Sequence, residues 1–209
     1  MNSVRDRRAS RWDAHRRTRR AELTDAAITA IRAHGAGVGM DDVAAAARTS
    51  KTAVYRHFAD RTQLYVAVCE RVAQVLLGQV RAAMDGATSP QAKAAAAIAA
   101  YLRLIEHDPE VYRFVVHRPL ADTDLVADLV SVIGDQVADV IAEQLSAAGA
   151  DPSPAVPWGH GVVGMVRSAA DNWIARSAGM TREQLADHLT ALAWTGLSRV
   201  IARTEEETS

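Results

Sequence analysis

A single cysteine, Cys69, occurs in 209 residues, so no disulfide framework and no Cys-rich metal site can form within the chain. It lies in the apolar stretch "YVAVCE", where a small buried residue is expected. Aromatics are also scarce, 5% of a chain that is 49% hydrophobic, because alanine supplies most of the apolar content. Alanine runs such as "KAAAAIAAYL" favour helix and disfavour strand. No stretch alternates β-branched and polar residues between turn signals, and the expected fold class is all-α. No apolar run is long enough to span a membrane, and the N-terminus lacks a signal-peptide core. The expectation is a soluble, cytoplasmic protein with no membrane partner. Seven histidines show no HExxH or paired-ligand spacing, so neither metal nor cofactor is expected. GxSxG and a nucleophile–base pair are likewise missing, and the chain is not expected to be an enzyme.

Charge is present but unevenly placed. Residues 1–61 carry 13 Lys+Arg against 7 Asp+Glu, whereas residues 62–209 carry 11 against 18. A basic first third on an acidic remainder points to a polyanion at one end: nucleic acid first, an anionic membrane surface second. Eight arginines precede residue 21. With few large apolar residues among them, residues 1–15 are expected to form a flexible basic arm, either a plain solvated tail or a DNA-binding arm.

A helical pattern begins near Arg16, with Leu23, Ala27, Ile28 and Ile31 on one face. It should end at "HGAGVGM", Gly35 being the C-terminal cap. These glycines follow no strand and precede no Lys-Ser/Thr, so they are a linker and not a phosphate loop. "MDDVAAAA" reads as a short helix with Asp41 and Asp42 at its positive end. After a break at Arg48 and Thr49, "SKTAVYRHF" reads as a second short helix capped by Thr49 or Ser50. The next begins at "ADRTQLYVAV", with Asp60 as cap and Gln63 three residues on. Proline punctuation then divides the rest into helices over 90–107, 109–118, 122–148, 155–177 and 181–203.

Two short helices joined by a tight break, behind a longer amphipathic one, describe a helix-turn-helix in a three-helix package. Val43, Ala44, Ala47, Val54 and Phe58 should form its core with Leu23, Ile28 and Ile31. The second short helix would then offer Ser50, Lys51, Thr52, Tyr55, Arg56 and His57 as hydrogen-bond donors to phosphate and base edges. Ala53 is small enough to let the helix approach, and its methyl suits a thymine methyl. Backbone N–H groups at the starts of this helix and the next, with Thr49 and Arg61 beside them, are candidate phosphate contacts.

The stretch "DDVAAAARTSKTAVYRHFADRTQLYVAV", Asp41 to Val68, resembles the tetracycline-repressor (TetR) family. That resemblance implies about nine helices: a DNA-binding domain over 16–65, a ligand-binding and dimerisation domain over 66–204, and an acidic tail at 205–209. It implies that Lys51, Tyr55 and His57 touch DNA, and that Arg61 replaces a phosphate-contacting lysine. Two positions depart from the family pattern. Gly39 stands where a capping threonine is common, and Arg48 stands where the turn usually has glycine, so Arg48 must accept an unusual backbone angle or the turn must differ. Arg48 is also a candidate substitute phosphate contact.

The acidic two-thirds should hold the other two functions. The helix over 155–177 carries apolar residues around more of its circumference than one contact needs. Trp158, Val162 and Val166, with Leu189, Gly196 and Val200 of the last helix, are the candidate interface of a homodimer. The resemblance implies pairing through the last two helices, and hence a palindromic operator. A small, lipophilic effector is expected among Tyr101, Leu104, Ile105, Tyr112, Val116, Met165 and Trp173, with Arg103, His117 and Asn172 as orienting groups. The whole then reads as a repressor released by its effector. The competing reading is a helical ligand-binding protein without specific DNA recognition.

Overall fold

The computed structural model describes the backbone of residues 3–116, 125–176 and 179–207, and side chains over 14–116, 127–176 and 179–196. Among the described residues there are nine helices and no strand. They are α1 (Ser3–His34), α2 (Met40–Ala46), α3 (Lys51–Tyr55), α4 (Arg61–Asp85), α5 (Pro90–His107), α6 (Pro109–Val116), α7 (Leu125–Ala147), α8 (Ala155–Arg176) and α9 (Arg182–Glu207). α5 and α6 each start on a proline, whose missing N–H would have no partner in a first turn anyway.

The chain divides into two compact units. The first holds Met1–Gln74 and Asp108–Thr123, the second Val75–His107 and Asp124–Ser209. In the first, α1, α2 and α3 close around Leu23, Ile31, Val43, Val54 and Phe58, all essentially inaccessible to solvent. Burying a side chain such as Phe58 contributes about 2–3 kcal/mol, which is what holds such short helices in place. The expected core is therefore found, with Ile28 and Ala44 buried too and Ala47 half-buried. α1 ends as expected at Gly35, which adopts φ +76 and donates its N–H to the Ile31 carbonyl at 2.8 Å.

Two findings differ from expectation. α1 starts at Ser3, so the arginine-rich stretch expected as a flexible arm has a helical backbone. Arginine and alanine are good helix formers, and no glycine or proline interrupts them. In addition, α6 belongs with the first unit. Arg32 of α1 binds Asp108 through Nε and Nη2 at 2.6 and 2.7 Å, and Tyr65 of α4 donates its hydroxyl to the Val115 carbonyl at 2.8 Å.

In the second unit α8 packs along α7, and α9 along α5. Of the three glycines in the early turns of α8, only Gly159 is closely approached. A Cβ there would lie 2.6 Å from both Ala138 N and the Gly134 carbonyl oxygen, whereas Gly161 and Gly164 face open space.

Candidate nucleic-acid interface

The turn before α3 is built on a left-handed residue. Thr49 N–H donates to the Ala44 carbonyl at 2.9 Å, and Arg48 N–H to the Ala45 carbonyl at 3.0 Å. This is the Schellman pattern that closes a helix, and it needs a positive φ at the residue after the cap. Arg48 supplies it at φ +50, the only non-glycine residue to do so among those described. An L-residue in that region is strained by about 1–2 kcal/mol. Its side chain stands exposed beside the start of α3.

α3 itself is short. Ser50 caps it by accepting from Ala53 N–H at 3.2 Å, and Val54 faces fully inward. The outward face then carries Ser50, Lys51, Thr52, Tyr55 and Arg56, all exposed; Tyr55 retains 43% of its surface. Thr49 and Ala53 are half-buried at its edge. Lys51 is not idle, for its Nζ lies 2.8 Å from Asp41 Oδ2, a hydrogen bond that raises the lysine pKa.

Two further expected contacts, His57 and Arg61, are also bonded within the protein. His57 lies past the end of α3 and is half-buried, with Nδ1 enclosed and lacking a hydrogen-bond partner. Its carbonyl accepts from Arg20 Nη1 at 2.5 Å, and the Arg20 guanidinium lies 4.3 Å from the Phe58 ring centre. Burial first, then Arg16, Arg19, Arg20 and His15, lower the His57 pKa. Arg61 donates from Nη2 to the Val38 carbonyl at 2.7 Å, which ties α4 to the loop before α2. Arg61 nevertheless remains exposed, whereas the His57 imidazole is partly enclosed.

Capping shows how the departures are met. Gly39 offers no side chain, but Asp42 Oδ2 accepts its N–H at 2.8 Å, preserving half of a capping box. At the start of α4, Asp60 Oδ1 accepts from Gln63 N–H, while Gln63 Oε1 accepts from Ala59 N–H. Several amides expected to be free for phosphate are thus already engaged by the protein.

The remaining candidates spread over both units. Ile105 and Tyr112 are buried, Tyr101, Leu104, Val116, Met165 and Trp173 half-buried, Arg103 and Asn172 exposed. His117 lies outside the described residues. Trp173 Nε1 donates to the Met180 carbonyl at 2.8 Å, so its polar edge is occupied. An open depression of about 390 Å³ in the second unit is lined by Ser89, Gln91, Ala92, Ala95, Asp187, Thr190 and Ala191, none of them expected. Of the expected interface residues, Val166 and Leu189 are buried within the chain itself and serve its internal packing. Trp158 packs partly on Ile141, Leu145, Ala150 and Ala155; Val162 is half-buried, and Gly196 is exposed. The Val200 side chain lies outside those described. Sequence reasoning missed Val156, apolar yet 58% exposed, whereas Leu192, on the apolar line of the last helix with Leu185 and Leu189, is 63% exposed.

Residues 23–68 match the bacterial regulatory proteins of the tetR family, and residues 79–208 match the family described as "Tetracyclin repressor-like, C-terminal domain". The chain belongs to the TetR family. It is 33% identical over 202 residues to an uncharacterized HTH-type transcriptional regulator of Mycobacterium tuberculosis, covering 94% of this chain and 84% of that protein. It is 29% identical over 163 residues to the HTH-type transcriptional activator FasR of Mycolicibacterium smegmatis, covering 78% of this chain and 74% of FasR. Among solved structures, the transcriptional regulator FadR of Bacillus subtilis in complex with stearoyl-CoA superposes with a TM-score of 0.64 at 14% identity, over 82% of this chain and 96% of that one. The TetR family is one of transcriptional regulators with a helix-turn-helix DNA-binding domain, not of enzymes. No helix among the described residues is long and apolar enough to cross a membrane.

Proposed function

We propose that this TetR-family protein is a cytoplasmic homodimer that represses transcription from a palindromic operator and is released by a lipophilic effector. The carrying observation is the outward face of α3. Lys51, Thr52, Tyr55 and Arg56 stand exposed on a helix whose other side is anchored by Val54, with Phe58 buried just beyond its end. Donors to phosphate and to base edges thereby share one rigid, narrow surface of a size that a major groove admits.

Dimer formation is supported by the apolar surface that α8 and α9 leave open. Val156 and Leu192 are exposed, and the open glycines Gly161 and Gly164 would permit close helix approach. A two-fold pair of α3 helices would read two inverted half-sites.

The effector is proposed to lie against the half-buried apolar residues of α5 and α8, Tyr101, Leu104, Met165 and Trp173. The stearoyl-CoA in complex with Bacillus subtilis FadR supports an acyl thioester as its chemical class. To drive release, the effector must bind the non-operator form more tightly; a hundredfold preference corresponds to about 2.7 kcal/mol.

The test is selection of bound duplexes from a random library at physiological salt, repeated with long-chain acyl-CoA. A palindromic consensus that is lost with acyl-CoA supports the reading. Recovery of charge-driven binding without a consensus overturns it in favour of a ligand-binding protein.

A further inference from the structure

Lys51 is the first residue of α3, and its ammonium meets Asp41 of α2 at 2.8 Å. Neither charge is there for capping. Asp42, not Asp41, accepts the Gly39 N–H, and Ser50 caps α3. A lysine at a helix start opposes the helix dipole, so it does nothing for α3. Both side chains are well exposed, 49% for Lys51 and 74% for Asp41, and such pairs add little to folding. What the pair does instead is place a carboxylate beside the face that carries Thr52, Tyr55 and Arg56. A carboxylate is the wrong sign for a surface that meets phosphates.

We propose that Asp41 is an internal stand-in for phosphate that restrains DNA affinity by holding Lys51 in the free protein. The inference rests on the DNA-binding reading above. When Lys51 turns to a phosphate, Asp41 loses its partner and the free energy of that pair is forfeited. The gain from the phosphate contact is reduced by that amount. Every duplex bears the same penalty, whether operator or random. Asp41 therefore sets absolute affinity and leaves the operator-to-random ratio unchanged.

The test compares the full chain with D41N, K51A and D41N/K51A on the selected operator duplex and on a random-sequence duplex, over a salt series. D41N should bind both duplexes about 2- to 5-fold more tightly, the worth of an exposed pair. That gain should vanish in the K51A background. Melting temperatures are recorded for every variant, and D41S replaces D41N if the latter melts early. Unchanged or weaker binding by a folded Asp41 variant overturns the proposal. So does an equal gain in the K51A background, which would make Asp41 a plain repulsive charge. Wild-type protein that binds no duplex overturns the DNA reading itself, and is seen before any variant is compared.

Discussion

Arg32 holds Asp108 in a fork, Nε on Oδ1 and Nη2 on Oδ2, across 76 positions of sequence. Asp108 also starts α6, accepting the Tyr112 N–H through its carbonyl at 3.0 Å, and its side chain is only 16% exposed. The pair thus fastens α6 to the helix that frames the recognition motif. Arg32→Ala is expected to destabilise the first unit by about 1–2 kcal/mol, discounted because the arginine is half-exposed. Urea unfolding followed by circular dichroism measures it. Arg32→Lys should recover less than half, since an ammonium cannot make both bonds.

Arg48 makes stability and binding separable. Arg48→Gly relieves the left-handed strain and should stabilise the three-helix package by about 1 kcal/mol. The same change removes an exposed cation from the interface, so operator affinity should fall about 3- to 10-fold. Thermal unfolding and anisotropy titration, run on the same samples, should move in opposite directions. If both improve, Arg48 has no part in DNA binding.

How much of this was legible beforehand follows from which interactions are local. Val54 and Phe58 were readable because four-residue spacing puts both on one side of the segment, and Gly35 because three glycines end a periodic run. Asp60 as a cap was readable for the same reason. The length of α1 was not, because low apolar content favours a solvated arm while arginine and alanine favour helix, and no tertiary contact in the sequence ranks the two. Nor were the bonds from Arg20 to the His57 carbonyl and from Arg61 to the Val38 carbonyl, which span 37 and 23 residues. Val166 and Leu189 could not be assigned to core or interface without knowing that α8 lies on α7 and α9 on α5.

The α7–α8 contact gives a paired prediction. Gly159→Ala should destabilise the second unit by about 1–3 kcal/mol, because the added methyl would meet backbone atoms at 2.6 Å. Gly78→Ala, in the part of α4 that belongs to the second unit, meets nothing and should instead stabilise by up to about 1 kcal/mol through helix propensity. Thermal melts of the two variants should therefore shift in opposite directions.

His57 predicts a pH dependence of known sign. Its folded pKa is depressed, chiefly by burial and then by the surrounding cations, so the unfolded chain binds the proton more readily. Stability from this group is present above the ordinary histidine pKa of about 6.5 and is lost as pH falls through the folded value. His57→Gln should flatten the fall in unfolding free energy below that pH. An identical pH profile for the variant would remove His57 as its source.

The most direct measurement is an anisotropy titration of the selected operator and a scrambled duplex with wild type, Lys51→Ala and Tyr55→Ala. Wild type should prefer the operator by about a thousandfold or more at physiological salt. Lys51→Ala should weaken both duplexes by a similar factor, and Tyr55→Ala should weaken the operator about tenfold, each with an unchanged melting temperature. Equal affinity of wild type for both duplexes, or full operator affinity in both variants, would contradict the placement of α3 as the reading helix.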